Sequence, residues 1–239
     1  MKRNVLYKEL ARYYDLIYAS KDYKKEASQL KKFISEYKKS PGNELLDVAC
    51  GTGRHLIYLK SGFSCMGVDI SEDMLKIARK NVRGVVFKKA NMITLDLGKK
   101  FDIILCMFSA IAYTKTYENL RKTIQNFANH LKKGGVVLIQ PFFTKAAFKQ
   151  GAPHMTTYQS DNICLARANV SKAKGDLGTW DFHYIIAEKD KEVKHFVDRH
   201  EVALFDTNKT LKIMKEVGLK AKFLKKGFAN RGLFIGIKA

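Results

Sequence analysis

Proline, tryptophan and paired cysteines are scarce in this chain of 239 residues, which contains three prolines, one tryptophan and four cysteines. The cysteines are widely spaced and form no C-x-x-C pair: Cys50, Cys65, Cys106 and Cys164. Such spacing is typical of free thiols in a reducing compartment and argues against a disulfide framework or a zinc site. The chain also lacks an apolar run of about 18 residues and a signal-peptide core, so we expect a cytoplasmic protein with no membrane contact. Its six histidines follow no metal-ligand spacing, so we expect no metal.

Acidic residues are also few, at 23 against 44 lysines and arginines, which gives a formal net charge of +21 at neutral pH. An excess of this size suits either a lysine-rich solvated surface or an anionic partner such as RNA or a phosphorylated substrate. Only nine of the basic residues are arginine, the side chain that base-specific recognition favours, and no long basic tail occurs. We therefore expect no nucleic-acid partner, and an anionic group on a small-molecule substrate remains the open alternative.

Strands and helices alternate along the chain up to residue 142. Helical spacing over 5–39 predicts two N-terminal helices, and the alternation after them predicts an α/β fold. We expect a Rossmann-like, seven-stranded, mostly parallel sheet with helices on both faces. From 163 to 205, three long runs alternate polar and apolar residues without a helix between them, which predicts an antiparallel β insert after the fifth strand. We assign 1–142 and 205–239 to the main domain with its helical cap, and 143–204 to the insert.

A glycine turn separates the first predicted strand from the next helix, within the segment L-D-V-A-C-G-T-G at 46–53. Glycine lets the backbone approach a ligand closely, and the helix N-terminus favours electronegative ligand groups. Arg54 begins a segment that does not complete the G-x-G-x-x-G dinucleotide pattern, so the sequence gives little support for a pyrophosphate cofactor. Asp69 ends the second strand 22 residues after Asp47 (69 − 47 = 22), where a carboxylate can accept hydrogen bonds from the ribose hydroxyls of an adenosine.

The segments D-V-A-C-G-T-G at 47–53, G-V-D-I-S-E-D-M-L at 67–75 and M-F-S at 107–109 together resemble the class I S-adenosylmethionine-dependent methyltransferases. The resemblance implies that the cofactor is S-adenosyl-L-methionine and that S-adenosyl-L-homocysteine is a product. It also implies which positions hold each part of the cofactor: Ala49, Gly51, Gly53 and Met107 the methionine part, Asp69 the ribose, and Ile70, Met74, Asn91 and Met92 the adenine. Asp47 and Arg54 belong to the same motif, and Tyr14 matches a tyrosine that folds over the cofactor.

Segments outside the cofactor motif extend the resemblance along the chain, among them Y-D-L-I-Y at 14–18, V-K-H-F at 193–196 and H-E-V-A-L-F at 200–205. They are similar to the N,N-dimethyltransferases that act on TDP-linked amino sugars. This implies a nucleotide-linked amino sugar as substrate, an insert that covers the active site, and a homodimer. The segment Q-P-F-F at 140–143 stands where the sugar enzymes have E-P-W-W. Methylation of another small amine or hydroxyl compound is therefore the alternative, followed by RNA methylation and by a catalytically silent cofactor-binding subunit.

Methyl transfer to an amine requires an unprotonated nitrogen and a weak base nearby to take the proton. The candidates for this catalytic role are Tyr113, at the end of the fourth strand, His183 in the insert, and Tyr14. Asp181 lies two residues from His183 on a predicted strand, so the two side chains share one face. The candidates for substrate binding are Asp181, Arg167 and Arg231, the two arginines because they can pair with a pyrophosphate. Of the remaining histidines, we expect His200 to support the insert, and His55 and His130 to lie on helix surfaces.

Overall fold

The computed structural model describes residues 5–228 and 231–239. The helices are α1 (Tyr14–Ile17), α2 (Tyr23–Tyr37), α3 (Arg54–Leu59), α4 (Glu72–Asn81), α5 (Tyr117–His130) and α6 (Thr207–Glu216), with short 3-10 turns at Val5–Tyr7, Ala11–Tyr13, Met92–Thr94 and Ala110–Thr114. The strands are β1 (Glu44–Val48), β2 (Ser64–Asp69), β3 (Val86–Lys89), β4 (Phe101–Cys106), β5 (Leu131–Ile139), β6 (Pro153–Gln159), β7 (Ile163–Val170), β8 (Lys172–Lys174), β9 (Leu177–Glu188), β10 (Lys194–Ala203), β11 (Leu219–Phe228) and β12 (Gly232–Lys238).

Seven strands form the first sheet, in the order β3-β2-β1-β4-β5-β12-β11. The five strands from β3 to β5 run parallel, whereas β12 is antiparallel to both of its neighbours, because a hairpin joins it to β11. Buried apolar clusters line both faces of this sheet, one centred on residues such as Ile104 and Phe127, the other on residues such as Leu30 and Leu56. The predicted mostly parallel α/β sheet with helices on both faces is confirmed.

A second, antiparallel sheet contains five strands, in the order β10-β9-β7-β6 with β8 paired to β9. The sequence predicts three of them, and β6 and β8 are additional. The inner face packs against the N-terminal segment in a third apolar cluster that includes Leu6, Leu10, Leu165 and Tyr184. All five strands lie between residues 153 and 203, inside the predicted insert, whose boundaries remain a prediction.

Two predicted helices differ in the structure. The first N-terminal helix is replaced by 3-10 turns and the single-turn α1. The sequence pattern also predicts an amphipathic helix over 117–132 that the Lys-Lys-Gly-Gly segment finishes. Helix α5 instead ends at His130, and that segment lies at the start of β5. Gly134 has a φ of +74°, and a Cβ there would lie 2.8 Å from the backbone nitrogen of Ser40. Lys132 meanwhile pairs with the buried carboxylate of Asp102 at 2.9 Å, which draws the segment onto the sheet.

None of the helices in the described residues is long and apolar enough to cross a membrane.

Truncation of the core side chain Phe127 tests the packing beneath the sheet. Phe127 is fully buried, so Phe127→Ala removes an aromatic ring and leaves a cavity. We expect a loss of about 3–5 kcal/mol in the free energy of unfolding, measured by urea denaturation. The control Val86→Ala, at a side chain that is 53% exposed, should change it by no more than about 0.5 kcal/mol. Equal effects of the two variants would contradict the assigned core.

Candidate functional site

A cavity of about 280 Å³ opens at the carboxyl ends of β1, β2 and β4, the edge of a parallel sheet where ligands bind in α/β folds. Eleven of the twelve residues predicted to hold the cofactor line it: Tyr14, Asp47, Ala49, Gly51, Arg54, Asp69, Ile70, Met74, Asn91, Met92 and Met107. The twelfth, Gly53, caps the first turn of α3 behind the loop. Tyr113, the first catalytic candidate, lines the same cavity.

The loop between β1 and α3 has a backbone that few side chains tolerate. Ala49, Gly51 and Gly53 have φ values of 57°, 56° and 76°. A Cβ on Gly53 would lie 3.0 Å from the Val82 side chain, and one on Gly51 would contact Met74. Alanine at the first of these positions is a strained residue, which is characteristic of ligand-binding loops. The tight turn brings backbone groups to the cavity wall.

Two buried polar atoms, one acceptor and one donor, belong to residues that line this cavity and have no hydrogen-bond partner within 5–228 and 231–239. They are Oδ2 of Asp47 and Nε of Arg54. Burial, together with the nearby carboxylate of Asp69, raises the pKa of Asp47 to about 8. A ligand with an ammonium and a carboxylate group would satisfy both atoms, since the ammonium donates and the carboxylate accepts. The amino-acid part of S-adenosylmethionine has this pair of groups, so the residues fit the cofactor.

The wall on the β2 side suits an adenosine. Asp69 accepts hydrogen bonds from the backbone N–H of Gly51 and of Ser71, each at 2.9 Å. Burial nevertheless raises its pKa, because those bonds offset only part of the desolvation. The next side chain, Ile70, is 63% exposed and offers a flat apolar surface beside this carboxylate. Asn91 lines the far side, where its Oδ1 accepts from the N–H of Ile93 and keeps a second lone pair for a ligand donor.

The turn after β4 is also strained, with positive φ at Phe108 and Ser109 (53° and 61°). The backbone N–H of Phe108 donates to Oε1 of the buried Gln140 at 2.8 Å, and the Ser109 hydroxyl donates to the Pro141 carbonyl. Gln140 therefore orients the turn that carries Met107 and Tyr113. Its amide oxygen accepts a hydrogen bond as the glutamate oxygen of the E-P-W-W segment can, so this difference from the sugar enzymes leaves the acceptor in place.

Four side chains from three parts of the chain form a continuous hydrogen-bonded series at the end of the cavity. The hydroxyl of Tyr113 lies 2.8 Å from that of Tyr7 and 2.6 Å from Nδ1 of His200. Nε2 of His200 lies 2.7 Å from Oδ2 of Asp198. Burial raises the pKa of Tyr113 well above the usual value of a tyrosine, so it is a neutral phenol at physiological pH. His200, predicted only to support the insert, thus reaches a cavity side chain.

The aromatic residue Tyr14 is buried against the cavity, with its ring centroid 4.8 Å from that of Tyr18. Burial raises the pKa of Tyr14 well above its usual value. Arg167, on the inner face of the second sheet, donates to the Tyr18 hydroxyl at 2.9 Å and to Thr156 at 3.1 Å. The structure therefore places this predicted substrate ligand close to Tyr14, across Tyr18.

Arg231 occupies a neighbouring position, at a second cavity of about 200 Å³. Its guanidinium donates to the Ser109 hydroxyl at 3.1 Å and lies over the rings of Phe142 and Phe143. Burial lowers the pKa of Arg231, because no carboxylate in the described part of the chain pairs with it to compensate the desolvation. The two phenylalanines of the Q-P-F-F segment thus form an aromatic surface beside this cation.

The pair Asp181 and His183 lies elsewhere. Both side chains are on the outer face of the second sheet, because alternate residues of β9, such as the buried Tyr184, face inwards. Asp181 forms a two-point ion pair with Arg199, with both distances at 2.7 Å, and this partner lowers its pKa. His183 is exposed and lies 3.2 Å from His195. The structure does not bring these predicted catalytic and substrate residues to either cavity.

Sequence reasoning missed three residues of the site: Tyr7, Asp198 and His200. The signal for the last two was present, since Asp-x-His occurs twice, at 181–183 and at 198–200, and both spacings place the two side chains on one face of a strand. The two pairs differ only in the face of the second sheet that they occupy, and the inner face is the one that contacts Tyr113. The prediction that His55 and His130 lie on helix surfaces is wrong, because both side chains are buried. His55 forms a hydrogen bond with Glu26 at 2.7 Å, next to the cavity wall.

Known proteins resemble this chain over nearly its whole length. The family described as a methyltransferase domain matches residues 45–135. The dTDP-3-amino-3,4,6-trideoxy-alpha-D-glucopyranose N,N-dimethyltransferase of Streptomyces venezuelae is 35% identical over 95% of this chain and 96% of its own. The dTDP-3-amino-3,6-dideoxy-alpha-D-glucopyranose N,N-dimethyltransferase of Streptomyces fradiae is 32% identical over 96% and 91%. The crystal structure of Streptomyces venezuelae DesVI superposes with a TM-score of 0.90, at 35% identity, covering 96% of this chain and 98% of that one.

The glycine loop and the two unpartnered atoms fit the cofactor, and the similarity extends through the second sheet to the end of the chain. The predicted resemblance is confirmed. The chain belongs to the S-adenosylmethionine-dependent methyltransferases, within the family of the dTDP-amino-sugar N,N-dimethyltransferases.

Proposed function

We propose that this enzyme N-methylates the amino group of a dTDP-linked amino sugar. The observation that carries the proposal is the junction of two features in one cavity: a wall suited to S-adenosylmethionine and, opposite the glycine loop, the hydroxyl of Tyr113. The curated relatives that match over at least nine-tenths of both chains are named as N,N-dimethyltransferases of dTDP-amino sugars. Their names support both the acceptor and its nucleotide carrier.

The cofactor would be held by groups already described. Asp47 and Arg54 would satisfy the ammonium and the carboxylate of its amino-acid part, and Asp69 would accept from its ribose hydroxyls. The adenine would lie against Ile70 and Met74, near Asn91. When bound, S-adenosylmethionine supplies a sulfonium methyl group, which an amine nitrogen takes as the carbon–sulfur bond breaks and sulfur keeps the electron pair.

The protein itself contributes orientation, exclusion of water and removal of a proton. Orientation of two reactants can be worth several orders of magnitude in rate, and a site closed to bulk water strengthens its electrostatic interactions. The N-terminal segment provides this closure, because Tyr7 and Tyr14 both line the cavity, and the second sheet packs against that segment from outside the cavity. The hydroxyl of Tyr113 accepts a hydrogen bond from the substrate amine, and Tyr14 lines the same cavity.

The nucleotide part of the substrate would meet the buried Arg167 and the half-buried Arg231. No carboxylate among the described residues pairs with either guanidinium, so both can pair with a pyrophosphate. Phe142 and Phe143 would offer an aromatic surface in place of the two tryptophans of the sugar enzymes. This smaller surface favours the second candidate function, methylation of another small amine or hydroxyl compound. A protein with 44 basic residues also offers a favourable field to an anionic substrate.

A homodimer is part of the proposal. The outer face of the second sheet exposes large apolar side chains, among them Met155, Val170 and Ile185, which are 66%, 50% and 53% exposed. Exposed apolar patches commonly mark protein–protein interfaces. We place the enzyme in the cytoplasm, where the four free cysteines would stay reduced.

The transfer itself is tested by intact-product mass spectrometry. The purified enzyme and S-adenosylmethionine would be incubated separately with a dTDP-3-amino sugar, a mixture of small amines, and total RNA. We expect one or two added methyl groups on the sugar alone, and none with Asp69→Ala, because that variant loses the carboxylate that accepts from Gly51 and would hold the ribose. Transfer to RNA or to a different amine would contradict the proposed acceptor. Cofactor binding with no transfer to any acceptor would favour a silent subunit.

Without cofactor, the variant Asp47→Asn should gain stability relative to wild type as the pH rises, but it should bind S-adenosylmethionine more weakly. Burial raises the folded-state pKa of Asp47 from 3.8 to about 8, so the wild type loses stability as pH rises from 4 to 8, where only the unfolded carboxyl ionises. Without cofactor, the melting temperature of the variant relative to wild type should therefore increase over this range. Its affinity for S-adenosylmethionine should fall roughly 10- to 100-fold in calorimetry, since a hydrogen bond to a charged group contributes about 1.5–3 kcal/mol. A pH-independent difference in melting temperature would contradict this account.

Association is tested by light scattering after size exclusion. The wild type should elute at twice the chain mass, and Ile185→Lys should elute as a monomer because it places a charge in the apolar face. Val86→Lys, an equally exposed position on the edge of the first sheet, is the control that should leave the dimer intact. A monomeric wild type, or equal effects of the two lysines, would contradict the proposed interface.

A further inference from the structure

The inner face of the second sheet carries two titratable groups that are linked by hydrogen bonds to Tyr113, a side chain that lines the methyl-transfer cavity. Asp198 and His200 lie on β10, and both are buried. The carboxylate of Asp198 also accepts the backbone N–H groups of Val5 and Leu6, each at 2.8 Å. It therefore has three donors and a fixed position. Burial raises the pKa of Asp198, but the hydrogen bonds from His200 and from the two backbone groups lower it by more than burial raises it. The net pKa therefore lies below the usual value of an aspartate.

The ionised carboxylate of Asp198 determines which atom is the donor in each hydrogen bond from Asp198 to Tyr7. Because Asp198 can only accept, Nε2 of His200 must be the nitrogen that donates to it. In the neutral imidazole Nδ1 then has a lone pair, so the bond at 2.6 Å is donated by the Tyr113 hydroxyl. The oxygen of Tyr113 is left with its lone pairs for two donors. One is the Tyr7 hydroxyl at 2.8 Å, and the other position is open to a ligand in the cavity.

We propose that His200, held by Asp198, is a positioning residue that receives the substrate amine's proton through the hydroxyl of Tyr113. The inference rests on the proposed N-methylation and deepens it, since it assigns the route of the proton. It joins the second sheet to the chemistry directly and gives the N-terminal segment a part in it through Val5, Leu6 and Tyr7.

The proton balance is complete within named groups. An ammonium N–H of the bound acceptor gives its proton to the oxygen of Tyr113, while the hydroxyl proton of Tyr113 passes to Nδ1 of His200. The amine becomes neutral with a free lone pair, the tyrosine is a phenol before and after, and the imidazole becomes an imidazolium paired with the Asp198 carboxylate. The phenol needs this second acceptor, because its buried oxygen resists ionisation. The imidazolium later returns the proton to solvent.

The groups facing His200 come from each element packed against it. Tyr7 and Tyr113 make ring contacts with it from the N-terminal turn and from the turn after β4, at 5.5 and 6.0 Å between centroids. Phe182 packs on it from β9 at 5.0 Å and contributes no charge. Arg167 lies over the ring of Phe182, 5.0 Å from its centroid, and its positive charge acts on Tyr113. Asp198 is therefore the one carboxylate hydrogen-bonded to the imidazole among the described residues.

The tautomer of His200 is tested first in the unmodified enzyme. Nitrogen NMR of protein labelled at its six histidines should show one imidazole with a protonated Nε2 and an unprotonated, hydrogen-bonded Nδ1. That Nδ1 signal should shift in Tyr113→Phe, which removes the donor. A proton on Nδ1, or a signal indifferent to this substitution, would overturn the proposal whatever the activity measurements show.

Kinetics test the role of the relay in turnover. His200→Asn can still accept a hydrogen bond but cannot take a proton, so kcat for a dTDP-3-amino sugar should fall about 100-fold or more near pH 7. The loss should shrink as pH approaches about 10, where the amine loses its proton unaided. The acidic limb of the kcat profile should therefore move to higher pH, while the affinity for S-adenosylmethionine stays within about twofold of wild type. His195→Asn, the same change at an exposed position of the same strand, should keep the wild-type profile.

Non-additivity separates a relay from a packing effect. Because Tyr113 and His200 act in series, the double variant Tyr113→Phe with His200→Asn should lose no more activity than the more damaged single variant. Multiplied losses, or a His200→Asn profile that is lowered evenly at every pH, would overturn the relay and leave sugar methylation standing. A wild type that does not methylate the sugar would overturn both.

Discussion

The buried carboxylate of Asp198 is the constraint on which the arrangement of the site depends. A desolvated carboxylate is costly unless it is hydrogen-bonded, and Asp198 obtains its donors from three places: its own strand through His200, and the backbone of Val5 and of Leu6. Satisfying it therefore holds the N-terminal segment against the second sheet. Through His200 and Tyr113 the same group is linked to the turn after β4, where the cofactor cavity ends.

The other end of the cavity, at Asp47 and Arg54, differs because its hydrogen bonding is incomplete. Asp47, near the end of β1, and Arg54, at the start of α3, each have a buried polar atom that no described residue pairs with. The two unpaired atoms lower the stability of the ligand-free protein. A ligand whose ammonium and carboxylate groups pair with them removes this penalty and therefore binds more tightly. One end of the cavity therefore has a continuous series of hydrogen bonds with one acceptor position open at Tyr113, and is suited to proton movement. The other is incomplete and is suited to binding.

Much of the first sheet could be predicted from sequence, because its central strands are short apolar runs followed by glycine turns or helix caps, as at Ser71, whose hydroxyl caps α4. The residues predicted to hold the cofactor came from the resemblance to the methyltransferase family, and eleven of the twelve line one cavity. The strands β6 and β8 could not be predicted, since β6 is largely exposed at the sheet edge and β8 has three residues. The choice between His183 and His200 also lay beyond the sequence. Both follow an aspartate by two residues, and only tertiary packing decides which face of the second sheet meets the cavity.

The most direct measurement of the central claim is a crystal structure with S-adenosylhomocysteine and a dTDP-3-amino sugar bound together. The account predicts that Asp47 and Asp69 contact the cofactor product and that the sugar nitrogen lies within about 3.2 Å of the Tyr113 hydroxyl, on the side open to the cavity. The pyrophosphate should lie near Arg167 or Arg231. A sugar nitrogen held away from Tyr113, or a sugar bound at the outer face beside His183, would contradict the account.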